Sequence, residues 1–396
     1  MSAKLNLTAI LSVLMLGYTL PAAAAVTCDI NGESGGANPT VSIQGAPNIS
    51  ATEDLPNGTV LFQGRLAANT DIQRTPVVSC YIPDTSATAS ETVTVETRGK
   101  VAGGALVGTD NYTFKTNVPG IGVRFWILGH YLTNSDAPLD NSLAHYQAQI
   151  TVKPGGKDVT TTGLYYEHFR NLTFQLVKIG SVTPGMVNGI SFPTVEYRAY
   201  PADGQSIGKL PARYLIANFS GSANISTPTC TTPSTVNVDL GTFTTTQIES
   251  ATTTPWKDAS IKLTNCQKFT GYQNRDSMFV QDQISGAYDV GMTTPAPTVN
   301  NVLGIKLNSN QQNIDVNQGI VGIKTGGGEA QGVAVQIAKG NTASNTPAPL
   351  GVEFNQTLAL DGSPTINIPL VVRMIKQGTV KAGRVNAQIT YTISYK

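Results

Sequence analysis

The chain has 396 residues, of which 26 are lysine or arginine and 25 are aspartate or glutamate, and its formal net charge is +1. This balance gives no net field to attract nucleic acid or anionic lipid. Charged residues make up only 13% of the chain, whereas small, β-branched and turn-forming residues are abundant. This bias is typical of β-sandwiches and unfavourable for helices.

The first segment has the features of a secretory signal peptide. Lys4 is followed by an apolar run over residues 11–20 and then by three alanines at positions 23–25. The run is too short to span a bilayer, and small residues suit cleavage by a signal peptidase. We therefore predict a signal peptide over residues 1–25, a mature chain that starts at Val26, and no transmembrane helix.

The length of the remaining chain predicts two domains. About 370 residues are more than one hydrophobic core usually serves. The small, polar, proline-containing segment 220–229 is the best linker candidate. We predict an N-terminal domain over residues 26–222, a linker over 223–229 and a C-terminal domain over 230–396.

The four cysteines fall into two sequential pairs, Cys28 with Cys80 and Cys230 with Cys266. An even number of cysteines in an exported chain predicts two disulfides. Three connectivities are possible, and only the sequential one keeps each bond within its own half. A four-thiolate metal site is the alternative, but it lacks a Cys-x-x-Cys pair. We predict neither a metal nor another cofactor.

Short runs of alternating apolar and polar residues, separated by Gly, Pro, Asn and Asp clusters, predict β-strands. No stretch shows a helical period with caps, so an all-β fold of two sandwich domains is predicted. The clearest predicted strands cover residues 92–97, 122–128, 172–179, 194–200, 332–338 and 366–374.

The last fourteen residues, GRVNAQITYTISYK, alternate strictly between apolar and polar side chains. A period of two predicts a strand that buries one face. Considered alone, this segment is best explained as an ordinary last strand of a complete sandwich. Its apolar positions are Val385, Ala387, Ile389, Tyr391, Ile393 and Tyr395.

Several features of the C-terminal half occur together. The second cysteine pair closes with the sequence LTNC at Cys266, a strand follows at 332–337, and an apolar run covers 366–374. Gly383 and the penultimate Tyr395 complete the pattern. From Cys230 to Lys396 the chain thus resembles the pilin domain of chaperone–usher fimbriae.

This resemblance implies an incomplete immunoglobulin-like sandwich that lacks its last strand. A periplasmic chaperone would first lend that strand, and an adjacent pilin or adaptor subunit would replace it at the outer-membrane usher. An unpaired edge beside an apolar groove suits a donated strand. Ile389, Tyr391, Ile393 and Tyr395 are expected to line this groove, and basic residues of the chaperone to hold the carboxylate of Lys396.

Residues 26–222 resemble the N-terminal adhesin domain of type 1-like tip subunits. The resemblance rests on Cys28 just after the predicted mature start, on the strand at 92–97, and on the sequence VPGIGVRFW at 118–126. With two residues ahead of Cys28, the mature chain has no donor extension and is expected to cap the fibre. The implied function is adhesion at the fimbrium tip, outside the cell, through a host-surface glycan or protein. A structural tip or initiator pilin without lectin activity is the alternative.

A sugar site needs carboxylates, amides and an aromatic face. In mannose-binding relatives the pocket uses the N-terminal amine and an acidic residue after the second cysteine, roles that fall here to Val26 and Glu91. The last hairpin loop, 179–190, carries no carboxylate, so another glycan or a protein is an equal expectation. The candidate ligand-binding residues at the tip are Val26, Tyr81, Asp84, Glu91, Asn117, Lys178 and Asn188.

The histidines and the carboxylates allow two further interpretations. His130, His145 and His168 could together hold zinc. The topology of the adhesin family that the chain resembles, however, implies that His130 and His145 lie in a loop facing the pilin domain. We therefore interpret the histidines as solvated or interdomain residues. Carboxylates are sparse and scattered rather than paired in one region. A glycosidase needs two that face a cleft, so the chain is not expected to be an enzyme.

Overall fold

The computed structural model describes residues 26–30, 40–43, 45, 47–68, 78–84, 86–108, 110–127, 130–135, 137–138, 147–154, 172–274, 276–284, 287–294 and 297–396. The described residues are almost all in strands and turns, as predicted, with a single seven-residue α-helix among them. In these ranges no helix has the length and apolar character needed to cross a membrane.

The N-terminal half contains strands throughout its described residues. Four of the predicted strands lie here and are confirmed. In chain order the strands are β1 (Thr27–Ile30), β2 (Thr40–Ile43), β3 (Asn48–Ser50), β4 (Val60–Ala68), β5 (Val78–Tyr81), β6 (Glu91–Ala102), β7 (Thr113–Lys115), β8 (Ile121–Ile127), β9 (His130–Tyr131), β10 (Ala137–Pro138), β11 (Gln147–Val152), β12 (Thr173–Lys178), β13 (Gly185–Asn188), β14 (Thr194–Pro201) and β15 (Ala212–Ser226).

Two sheets face each other across the N-terminal core. One runs β10-β6-β14-β15-β13, and the other contains β4-β12-β8-β7. Phe125 of β8 and Phe174 of β12 meet Phe219 of β15, with ring centroids 4.9 Å and 5.8 Å apart. Alternate residues of these strands are buried because successive side chains in a strand point to opposite faces. This arrangement is the β-sandwich that the sequence predicts.

The C-terminal half begins with a short helix, which the all-β prediction did not include. The predicted strand 332–338 lies here and is confirmed, whereas the predicted strand 366–374 is divided at Pro369 into two strands of different sheets. In chain order the elements are α1 (Thr245–Ala251), β16 (Lys257–Asp258), β17 (Ile261–Leu263), β18 (Asp276–Ile284), β19 (Ala287–Thr294), β20 (Val302–Ser309), β21 (Asn313–Asp315), β22 (Ile320–Val321), β23 (Gln331–Gly340), β24 (Asn345–Pro347), β25 (Glu353–Thr357), β26 (Ile366–Ile368), β27 (Leu370–Lys381) and β28 (Ile389–Tyr395).

The C-terminal core lies between two main sheets. One runs β16-β27-β23-β22-β21, and the other runs β25-β20-β28. Leu303 and Ile305 of β20 pack with Ile337 of β23 and Leu370 of β27, all nearly inaccessible to solvent. This second core is built from residues distinct from the first.

The sequential disulfide pairing is confirmed in both halves. Cys28 bonds to Cys80 and joins β1 to β5, where the two residues are directly paired. Cys230 bonds to Cys266 at the start of the C-terminal half. Each bond therefore stabilises its own half of the chain.

The two halves are joined by a hairpin and by buried hydrogen bonds. Strand β18, followed by β19, pairs in parallel with β4, so the hairpin from the C-terminal half extends a sheet of the N-terminal half. The side chain of Asn301 donates to the Ser50 carbonyl at 3.1 Å, and both residues are inaccessible to solvent. Residues 223–226 of the predicted linker lie within β15, because β3 and β13 pair with that part of the strand.

Candidate functional site

A groove of about 1470 Å³ with an apolar floor opens on the surface of the C-terminal half. One wall is the extended segment 232–244, which we call the entry segment, and the other consists of residues 382–391. In the entry segment Val236, Val238 and Leu240 are half-buried and pack on the core, while the intervening residues are exposed. Successive side chains of an extended chain alternate in this way because its period is two.

The floor of the groove is made by the sheet that carries β23 and β27. Val335 and Ile337 from β23, and Val372 and Met374 from β27, all line it. These side chains are more than nine-tenths buried even though the groove opens above them. The C-terminal core therefore lies directly beneath the groove along its length.

Both ends of the groove are defined by specific contacts. At one end the phenol of Tyr391 donates a hydrogen bond to the Pro233 carbonyl and so connects the two walls. Partial burial raises the pKa of that phenol above its ordinary value. At the other end α1 places Ile248 against Val333 and Met374.

The backbone edges beside the groove have no strand partner among the described residues. Strand β28 pairs with β20 on one side, and no described strand pairs with its other side. No backbone-to-backbone hydrogen bond is formed by residues 232–243 within the part of the chain that is described. Two unpaired edges thus face each other across an apolar floor.

The predicted groove residues divide into two sets. Ile389 and Tyr391 line the groove. Tyr395 instead lies at the contact between the two halves, where its amide donates to Asp54 Oδ2 at 2.8 Å, and Lys396 forms an ion pair with Glu353. Ile393 packs on the C-terminal core but is not among the lining residues.

The entry segment was not predicted, although its sequence carried a signal. TVNVDLGTF at 235–243 alternates between polar and apolar residues as β28 does. The helix α1 had a signal too, because Thr244 and Gln247 form a capping box in which each side chain bonds to the other residue's backbone.

The predicted ligand-binding residues lie at opposite ends of the N-terminal sandwich. Thr97 of β6 is level with Ala212 at the start of β15 through Ala199 of β14, and Glu91 lies further along β6 beyond that end of β15. Asn188, in contrast, pairs with Ser222 near the end of β15. Residues 213 and 222 are separated by about 30 Å at the usual rise of a strand. The expectation of one cluster at the tip is therefore corrected.

The residues at the distal end, away from the C-terminal half, are Val26, Tyr81, Asp84 and Glu91. Thr27 pairs with Tyr81, and the Lys209 amide donates to the Cys28 carbonyl, which ties β1 to the turn before β15. The Ser86 hydroxyl and amide both donate to the Asp84 carboxylate and hold its pKa below the ordinary value.

The three remaining candidates lie at the end that faces the C-terminal half. Lys178 is buried, and its ammonium donates to the Glu53 carbonyl at 3.0 Å. The side chain of Asn117 accepts from the Asn188 amide at 2.9 Å and donates to the Met186 carbonyl at 2.8 Å. These side chains therefore have structural partners in the fold.

His130 lies in β9, which pairs with the last residues of β8, at the opposite end of β8 from Ile121. Ile121 pairs with Lys178 near the C-terminal half, so the predicted position of His130 at that end is wrong. The turn from β8 into β9 lies at the end of β8 that is away from the C-terminal half, and it places His130 there. His145 and His168 lie outside the described residues.

Comparison with known proteins finds similarity to fimbrial proteins, the class that the sequence resembles. Residues 217–396 match the family described as "Fimbrial protein". A "Fimbria adhesin protein" of Klebsiella pneumoniae is 25% identical over 355 residues, which are 85% of this chain and 90% of that protein. The C-terminal half thus matches a fimbrial protein domain, and the chain as a whole is similar to a fimbrial adhesin.

Two solved structures are also similar. The CupB6 tip adhesin from Pseudomonas aeruginosa is 15% identical with a TM-score of 0.32, and the similarity covers 94% of this chain and 95% of that one. The receptor-binding domain of adhesin MrkD1P from Klebsiella pneumoniae is 19% identical with a TM-score of 0.26, covering 52% of this chain and 99% of that one.

Proposed function

We propose that this fimbrial subunit is a tip adhesin whose C-terminal domain is an incomplete immunoglobulin-like sandwich, completed by a strand from another polypeptide. The groove between the entry segment and β28 is the observation that carries the proposal. Its apolar floor accepts alternate side chains of an extended chain, and its unpaired edges accept backbone hydrogen bonds.

The energetics favour such an occupant. Burial of apolar surface contributes about 25 cal/mol per Å², and the groove presents apolar side chains from both walls and the floor. An empty groove beside an unpaired edge is a site of aggregation. A periplasmic chaperone would protect it before an adjacent pilin or adaptor subunit replaces the chaperone at the outer-membrane usher.

The N-terminal domain is proposed to carry the receptor site, with a surface glycan as the expected ligand and a protein receptor as the other possibility. Many fibres on one cell would increase the effective concentration of the site and strengthen attachment without any new contact. The structural tip subunit without lectin activity remains the competing proposal.

The groove is tested by adding a peptide of about ten residues with alternating valine and threonine, long enough to follow the entry segment. We expect the peptide to raise the Tm of the full chain in a concentration-dependent way, because a ligand that binds only the folded state stabilises it. At a hundredfold excess over Kd the gain is about 2.7 kcal/mol.

Matched variants separate groove binding from unspecific effects. Val238→Asp places a charge in the groove and should abolish the Tm increase, whereas Asn237→Asp changes the exposed neighbour and should leave it intact. A Tm increase that survives Val238→Asp, or no increase with the unmodified chain, would contradict the proposal.

The receptor function is tested separately on a glycan array with the full chain. Selective binding that is retained in the presence of the peptide would support an adhesin. If the folded chain binds no glycan and no host-surface protein, the structural tip subunit becomes the better explanation.

A further inference from the structure

Three arginines form one row across the outer face of the N-terminal sandwich. Arg198 of β14 pairs directly with Arg98 of β6 on one side and with Arg213 of β15 on the other. We call these three residues the arginine row. Like charges that lie directly opposite in a sheet destabilise it, so this row is unfavourable for folding alone.

The row points away from the core. Tyr197 and Ala199, which flank Arg198 in β14, are fully buried, and successive side chains in a strand point to opposite faces. The guanidinium of Arg98 lies 4.4 Å from the ring centroid of Tyr200, the next outward residue of β14. The arginine row is therefore part of an outward surface with an aromatic ring beside it.

The outer members of the row are each paired with a carboxylate. Arg98 Nε lies 2.7 Å from Glu96 Oε1, and an Arg213 guanidinium nitrogen lies 3.3 Å from Glu196 Oε1. Arg213 remains half-exposed, with 49% of its side-chain surface accessible. Each pair is made between residues on the same outer face.

The central Arg198 differs from its two neighbours. Its Nε is buried and has no hydrogen-bond partner, and no described carboxylate forms an ion pair with it. A buried guanidinium nitrogen without a partner is costly, because it has lost water and gained no acceptor. Arg198 as a whole is only partly buried, so an oxyanion over the row would supply the negative charge that no described carboxylate supplies to it.

The charge count around the row also favours an anion. Among the described residues, the three arginines of the row form ion pairs with only two carboxylates, those of Glu96 and Glu196. Two strand spacings place the outer arginines about 10 Å apart. This width suits an extended ligand better than a small enclosed one.

We propose that the arginine row binds the carboxylate or sulfate groups of an acidic glycan. Guanidinium groups form two parallel hydrogen bonds with such oxyanions. The chain as a whole has a net charge of only +1, so the attraction is local and does not favour nucleic acid. The glycan assignment rests on the proposed adhesin function, and it specifies the class of receptor.

Fluorescence anisotropy with the full chain and three labelled oligosaccharides tests the proposal. The probes are a heparin fragment, which carries sulfate and carboxylate, a hyaluronan fragment, which carries only carboxylate, and a neutral dextran fragment. We expect binding of one or both acidic probes and none of dextran. Binding of hyaluronan assigns the carboxylate, and binding of heparin alone assigns the sulfate.

Arg198→Gln and Arg213→Gln should each weaken binding of the acidic probe by about tenfold or more, since each removes a charge-assisted pair of hydrogen bonds. Arg213→Lys keeps the charge but loses the paired geometry and should also weaken binding. The control Lys115→Gln removes one exposed charge from the other sheet. It should change the affinity for the acidic probe by less than about twofold.

The proposal is overturned if neither acidic probe binds, or if Lys115→Gln weakens binding as much as Arg213→Gln does. Far-ultraviolet circular dichroism and Tm confirm that each variant is folded, and the exposed Arg213 gives a readout if Arg198→Gln is unstable. Peptide binding in the groove is measured on the same variants. Loss of glycan binding with retained peptide binding separates this proposal from strand acceptance.

Discussion

Gly383 is an example of a residue whose role is steric rather than chemical. The chain at this position runs against the turn that precedes β23, where the Ala330 amide donates to the Arg384 carbonyl at 2.9 Å. A Cβ atom on Gly383 would lie 2.3 Å from the Ala330 nitrogen and 2.3 Å from the Glu329 carbonyl carbon. This close approach of two backbones positions the wall of the groove that leads into β28.

Gly383→Ala is therefore expected to lower the free energy of unfolding by about 1–3 kcal/mol, because the added methyl group forces the two backbones apart. Urea denaturation of the full chain measures this change. Gly378→Ala is the control, since the nearest atom to its added Cβ would be 3.8 Å away. Equal stability of the two variants would show that residues 383 and 330 separate without cost.

At the scale of elements, strands with a clear period of two could be predicted from sequence. The pattern of 194–200, for example, became β14 with alternate residues buried. The helix α1 was missed because it has only seven residues and one buried side chain, Ile248, which is too little for a helical period. Its cap at Thr244 was the stronger signal.

The groove, too, could be predicted only in part. Alternation predicted a strand at its β28 wall. The entry segment also alternates, but it pairs with no strand among the described residues. The arginine row could not be predicted either. Arg98, Arg198 and Arg213 are adjacent only through the register of three strands, and a shift by one residue would place each on the other face.

At the scale of the whole molecule, the two halves are held by a small set of buried polar contacts. Ser50 accepts from Asn301 at its carbonyl, and its hydroxyl accepts from the Thr270 amide at 2.8 Å. The side chain of Asn301 also accepts from the Gly271 amide at 3.1 Å. These bonds connect β3 of the first half to two segments of the second.

Asn301→Ala should weaken the contact between the two halves. It leaves the Ser50 carbonyl and the Gly271 amide without their partner, at a cost of about 1–3 kcal/mol. Hydrogen–deuterium exchange of the full chain should show faster exchange at residues 49–55 and 270–273. Asn300→Ala, which removes a bond to the Leu358 carbonyl within the second half, should not accelerate exchange at 49–55. Similar exchange in both variants would contradict this role for Asn301.

The pairing of β18 with β4 has a consequence for the order in which the chain acquires its structure. Gln63 and Gly64 find their parallel partners only at Asp276 and Ser277, in the other half of the chain. During secretion the first half emerges before the second, and contacts between distant positions form slowly. One edge of the first sheet therefore stays uncovered until the hairpin has been exported, and the N-terminal half completes its folding last at that edge.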